Sequence, residues 1–186
     1  MTATATNRTT TWAIDPSHTL VEFSAKHLMI STVKGRFAGV SGTIGFEPGA
    51  SDRATVDVTI DAATIDTRTD QRDQHLRSAD FLDVERHPAI TFKASRVEGA
   101  IASAGDRFRV IGDLTIRGVT KSVTLDATFE GASRDPWGNE RVGFSATGRI
   151  DRREFGLVWN QALETGGVLV GTDIKLAFEV EAIRQG

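Results

Sequence analysis

Few side chains in this chain offer chemistry. There are four histidines, His18, His27, His75 and His87, and no cysteine or tyrosine. Without cysteine there is no thiol nucleophile, zinc finger or iron–sulfur ligand set. No two histidines have the i, i+4 spacing of a helical zinc-protease motif. His18 and His27 are an odd number of residues apart, so one unbroken strand would turn them to opposite faces. Ser17-His18 and Ser24 could supply a nucleophile and base, but no G-x-S-x-G elbow accompanies them. Asp15, Asp66, Asp70, Asp73, Asp80 and Asp83 flank turns and a helix start, where acidic residues serve as caps. These residues give no reason to expect a catalytic residue, a metal or a cofactor.

The other polar constellations suit an anion. Lys26-His27 closes the first expected strand, and Arg72 and His75 lie together near Arg77. Donors of this kind at the mouth of a cavity would hold a pyrophosphate or similar head group. They could equally be structural, with Arg72 and His75 tying their segment to Asp66 or Asp83. Arg152, beside Arg153, opens a later connection. A buried Arg152–carboxylate pair fixing that loop is one reading, and head-group contact is the other.

The elements that must position these groups are strands. Val56, Val58 and Ile60 alternate with polar residues, as do Val123, Leu125, Ala127 and Phe129. The same period of two runs through residues 108–116, 142–150 and 174–182. Each run has one apolar face opposite a polar one, which marks a sheet wetted on one side. Eight strands are expected, near 18–28, 33–47, 53–62, 88–101, 106–117, 119–132, 140–150 and 167–184. Long one-faced antiparallel strands joined by short turns predict a closed up-and-down barrel, because closure removes exposed edges. Residues 69–82 break the pattern and predict a short α-helix between strands 3 and 4, with Thr69 or Asp70 as N-cap. The fold class is all-β: an eight-stranded antiparallel barrel over residues 12–186, behind a loose tail at 1–11. Residues 151–166 form a second long connection.

Composition sets further bounds. The 22 basic and 25 acidic residues leave a formal charge of −3, which argues against a broad nucleic-acid-binding face. The longest uncharged stretch, residues 37–46, is too short to span a bilayer. The first ten residues lack an apolar h-region, so a cytoplasmic protein is expected.

An eight-stranded barrel is wide enough for one small ligand. Phe23, Phe37, Phe46, Phe92, Phe108, Phe129, Phe144 and Phe178 fall on inward faces, as filler or as lining. Gly42, Gly112, Gly148, Ala94, Ala127 and Ala146 on inward faces either leave volume or relieve strand curvature. A contiguous volume would be narrow and dry, suited to a hydrocarbon chain. The expected lining is Phe23, Phe37, Phe92 and Phe108 from strands, with Leu76, Phe81, Val158 and Trp159 from the two long connections.

Eight ordered motifs then carry a resemblance: W-x-I-D-P-x-H (12–18), V-x-F-x-x-K-H-L (21–28), V-K-G-R-F (33–37), I-D-T-R (65–68), R-D-x-H-L-R-S-x-D-F (72–81), H-P-A-I-T-F (87–92), G-D-L-T-I-R-G-V-T (112–120) and R-R-E-F-G (152–156). The chain resembles the YceI-like family over nearly its whole length. The resemblance implies a lipocalin-like barrel with an elongated apolar cavity that binds a polyisoprenoid or related amphiphile, such as a prenyl quinone or fatty-acid derivative. Many relatives are periplasmic. The expected head-group residues are His27, Arg72, His75 and Arg152. Two other readings stand beside this one: an enzyme acting on an isoprenoid or quinone intermediate, and a stress-linked interaction protein with an incidental cavity. The long outer strand faces would also suit a homodimer.

Overall fold

The computed structural model describes residues 9–186. Most of the expected tail, residues 1–8, lies outside them, and Thr11 already belongs to a strand. The strands are β1 (Thr11–Ile14), β2 (Leu20–His27), β3 (Ser31–Phe37), β4 (Val40–Gly45), β5 (Thr55–Asp61), β6 (Ile65–Asp66), β7 (Ala89–Glu98), β8 (Arg107–Ile116), β9 (Val119–Arg134), β10 (Glu140–Asp151) and β11 (Asp173–Arg184). One helix, α1 (Asp70–Arg77), lies between β6 and β7.

All pairings are antiparallel, and the sheet closes where β1 meets β11. β1 and β2 lie end to end along β11, pairing its residues 182–184 and 175–179. β4 pairs β1 while β3 pairs β2, and β5 pairs β4 while β6 pairs β3. The first three staves of the barrel are thus each broken in two, and the whole is a closed eight-stranded antiparallel barrel. α1 connects staves three and four, as the sequence predicts.

Each break has a local cause. Pro16 has no N–H for the ladder, and Asp15 caps the 3-10 turn there by accepting from the Ser17 amide at 3.0 Å. The single expected strand 33–47 bends at Ala38-Gly39, where two amides leave the ladder. Thr64 Oγ1 accepts from both, at 3.2 and 3.0 Å, so neither is orphaned. The expected last strand begins at Asp173 instead of 167, because residues 162–170 form their own narrow loop.

Up-and-down topology puts both long connections, residues 67–88 and 152–172, at one end of the barrel. We call it the helix end. At the far end, Phe46, Ile101 and Val142 are among the most deeply buried side chains. Register shifts at Ala94/Arg96 and Gly143/Phe144 add the local twist that closure needs.

Candidate ligand-binding cavity

The inward alternation of all eight staves encloses a cavity of about 150 Å3. Val21, Val40, Val58, Phe92, Phe108, Leu114, Leu125, Ala127, Phe144, Ala146, Leu176 and Phe178 are on its wall. Thr19 and Ser145 are the only polar residues among the described lining. An apolar space of this size stays dry and admits a molecule about as large as benzene. The inward side chains Phe144, Ala146, Leu176, Phe178 and Val180 are only half-buried, because part of each faces the empty space.

Both ends are stopped by apolar side chains. At the far end Phe46, Phe129 and Phe144 form a triangle with ring centroids 5.2–5.3 Å apart. Toward the helix end Phe23 and Phe37 meet at 5.6 Å, while Leu82, Phe155 and Leu157 are buried there.

Small inward residues do not simply leave volume. A β-carbon on Gly112 would lie 2.6 Å from Phe92 Cζ, and one on Gly148 would lie 2.5 Å from Leu125 Cδ2. Each glycine receives a neighbour's side chain. Gly42 instead allows close backbone approach, with φ +148° and the Asp57 carbonyl in the place of its β-carbon. Ala127 and Ala146 do border the open space.

Of the expected lining, Phe92 and Phe108 are on the cavity wall. Phe23 and Phe37 stand beside it as the stopper. Leu76 packs from α1 against the core, outside the cavity. Phe81 and Trp159 lie in the two connections at the helix end, with rings 5.3 Å apart and His75 edge-on to both, at 5.1 and 4.6 Å. This cluster ties the two long connections together. Val158 is turned to solvent, 67% exposed, and is not a lining residue. Phe46, Phe144 and Phe178 are on the wall but absent from the expected lining set. Their alternation was the available signal.

The expected head-group residues are mostly committed elsewhere. Arg152 is buried but has no carboxylate partner among the described residues. It donates instead to the carbonyls of Gly171 (3.0 Å), Leu157 (2.5 Å), Trp159 (3.0 Å) and Val170 (3.4 Å), pinning the second connection. Burial pushes its pKa down. Arg72 donates to Thr67 and Thr69 instead of reaching Asp66 or Asp83. His75 pairs with Asp80 at 2.8 Å. The His27 ring has no side-chain hydrogen bond among the described residues, and its backbone bridges Val170. No hydrogen bond links any two of these four.

A second polar cluster lies outside the barrel. Asp15 accepts from Ser17, Arg141 and His18, and these bonds, Ser17's foremost, hold its carboxyl well below the usual range. Arg141 also donates to Asp135 at 2.8 Å and Glu181 at 2.5 Å. Burial opposes ionisation of Asp135, but bonds from Arg141 and Asn139 outweigh it and hold that carboxyl low too. The guanidinium thus supplies Asp15 and Glu181 with the positive charge that a metal ion held by Asp15, His18 and Glu181 would bring. Ser17 and Asp15 both contact His18 Nδ1, so the three are not a relay, which needs the serine and the acid on different ring nitrogens.

A closed barrel with an apolar interior is an architecture that can hold a ligand. The family is specific: the YceI-like domain matches residues 12–182, and the chain belongs to that family. A UPF0312 protein of Pectobacterium atrosepticum is 40% identical, over 90% of this chain and 82% of its own length. One from Staphylococcus aureus strain RF122 is 39% identical, over 93% and 96%. Among solved structures, the Campylobacter jejuni YceI protein aligns with TM-score 0.72 at 36% identity, covering 87% of this chain and 90% of its own. A polyisoprenoid binding domain from Saccharophagus degradans, implicated in plant cell wall breakdown, shares the fold at TM-score 0.70 and 14% identity, over 94% and 98%. None of the described helices is long and apolar enough to cross a membrane.

Proposed function

We infer that the protein binds a polyisoprenoid or related long-chain amphiphile inside the barrel, to sequester or carry it, without chemical turnover. The observation that carries this reading is the apolar cavity walled by all eight staves. Family membership supports it, and so at the level of fold does the polyisoprenoid-binding neighbour. Burial at about 0.8 kcal/mol per methylene would hold such a chain without a strong polar contact.

Magnitudes add a condition. About 150 Å3 holds a fragment the size of one isoprene unit. A long chain therefore needs the stoppers to move, and Phe23 with Phe37 on the helix side are the side chains we assign to that role. Extending the volume there leads to the expected lining residues Phe81 and Trp159 and to His27, whose ring is free to meet a polar head. Arg152 and Arg72 act as braces of that end. Among the described lining residues no acid–base pair faces the space, so the wall offers the enzyme reading no support.

The test is to purify the protein natively, extract it with organic solvent and identify the extract by mass spectrometry. A stoichiometric prenyl or other long-chain species is expected. Clean extracts from folded protein, together with no uptake of added polyprenol, would overturn the reading.

A further inference from the structure

The β2–β3 hairpin ends in Leu28-Met29-Ile30, closed by the Ile30 amide donating to the His27 carbonyl at 3.2 Å. Leu28 and Met29 have φ of 52° and 62°, the left-handed region. Asn and Gly adopt it readily, whereas bulky side chains do so under strain. The strain carries apolar groups outward: Met29 is 60% and Ile30 82% exposed. Val158, also exposed, belongs to the connection layered beside this turn through Leu28 N to Leu169 O and Leu169 N to Gln161 O, both 2.9 Å. Of the four exposed large hydrophobics among the described residues, only Trp137 lies at the far end.

The charges on the hairpin itself are basic, and Glu164, exposed in the neighbouring 162–168 loop, is the acidic residue beside them. No acidic or basic residue interrupts 28–33, and Lys26-His27 and Lys34 bracket that stretch. Lys34 and Lys175 both pair across Ser24, so an exposed row of lysines runs over β11, β2 and β3. None of the three enters an ion pair among the described residues. Asp173 is taken by Arg149 at 2.6 Å, and Glu22 sits farther from the tip, opposite Arg36.

We propose that this hairpin tip docks the protein on an anionic bilayer. Met29 and Ile30 enter the interface while Lys26, Lys34 and Lys175 lie against the head groups, the pairing of apolar insertion and charge that holds peripheral proteins on membranes. The inference does not depend on the identity of the barrel's ligand.

The test is co-sedimentation of the full chain with vesicles of equal parts phosphatidylglycerol and phosphatidylcholine, or of phosphatidylcholine alone, with no isoprenoid present. Binding to the anionic vesicles alone is expected, weakened by salt. A loss of roughly tenfold or more is expected in Met29→Ser/Ile30→Ser and in Lys26→Gln/Lys34→Gln/Lys175→Gln. Leu28→Asn/Met29→Gly keeps the turn's geometry without strain, so it should melt no lower than wild type yet bind less. No sedimentation, or sedimentation unchanged in these variants, would overturn the proposal. So would a concentration-dependent dimer that Met29→Ser/Ile30→Ser abolishes in the absence of lipid.

Discussion

The ring of Phe92 occupies the space over Gly112 so fully that a methyl group there would lie 2.6 Å from Cζ. The same methyl would lie 2.6 Å from the Lys93 carbonyl oxygen, which has nowhere to go. Gly112 is therefore a packing surface, and the cavity lies beyond the ring. Gly112→Ala should lower stability by about 1–3 kcal/mol through overpacking, read as a lower urea midpoint. Trimming Phe92 to Leu in the same chain should recover only part of the loss, because the backbone contact remains.

Ala146 offers the opposite case. It borders open space and sits opposite Ala127 and Phe178 in the ladder. Ala146→Phe should fill the cavity and stay folded, at a cost of no more than about 1–3 kcal/mol, measured by thermal melting.

Arg152 satisfies four carbonyls, and no other side chain reproduces its planar fork. Arg152→Met leaves buried acceptors unpaired and should cost about 3 kcal/mol or more. The second connection should become the first site of limited proteolysis. Arg152→Lys should not restore resistance.

The Asp15–Arg141–Asp135 network sets the acid limb. Both carboxyls titrate below their ordinary range when folded, so the unfolded chain binds protons first as pH falls. Their contribution is complete above roughly pH 4, the ordinary Asp value, and is lost below it. Asp151, pushed down to about 2 chiefly by the Arg153 side chain, adds to the same limb. Melting temperature should be level through neutral pH and fall below about pH 4. Arg141→Met should melt lower at neutral pH and lose less on acidification.

The alternation of Val123, Leu125, Ala127 and Phe129 made the staves legible, because a half-wetted sheet writes its period directly into the chain. The breaks were less legible. The apolar alternation changes phase at the bend, from Val33 and Phe37 to Val40, Ile44 and Phe46, but what holds the bend is Thr64, distant in sequence, receiving two amides. Phe92 and Phe108 could be placed on the wall from parity alone. Parity could not distinguish a glycine that leaves space from one that receives a ring, since Phe92 reaches Gly112 from a neighbouring stave. Nor could it show that Arg152 is held by carbonyls, which every residue carries.

The central claim is that the barrel interior is the binding site. The most direct measurement is the amount of radiolabelled polyprenol retained by wild type and by Ala146→Phe after gel filtration. One equivalent on wild type and essentially none on the folded variant is the expected result. Equal retention by the two proteins would place the ligand outside the cavity and contradict the account.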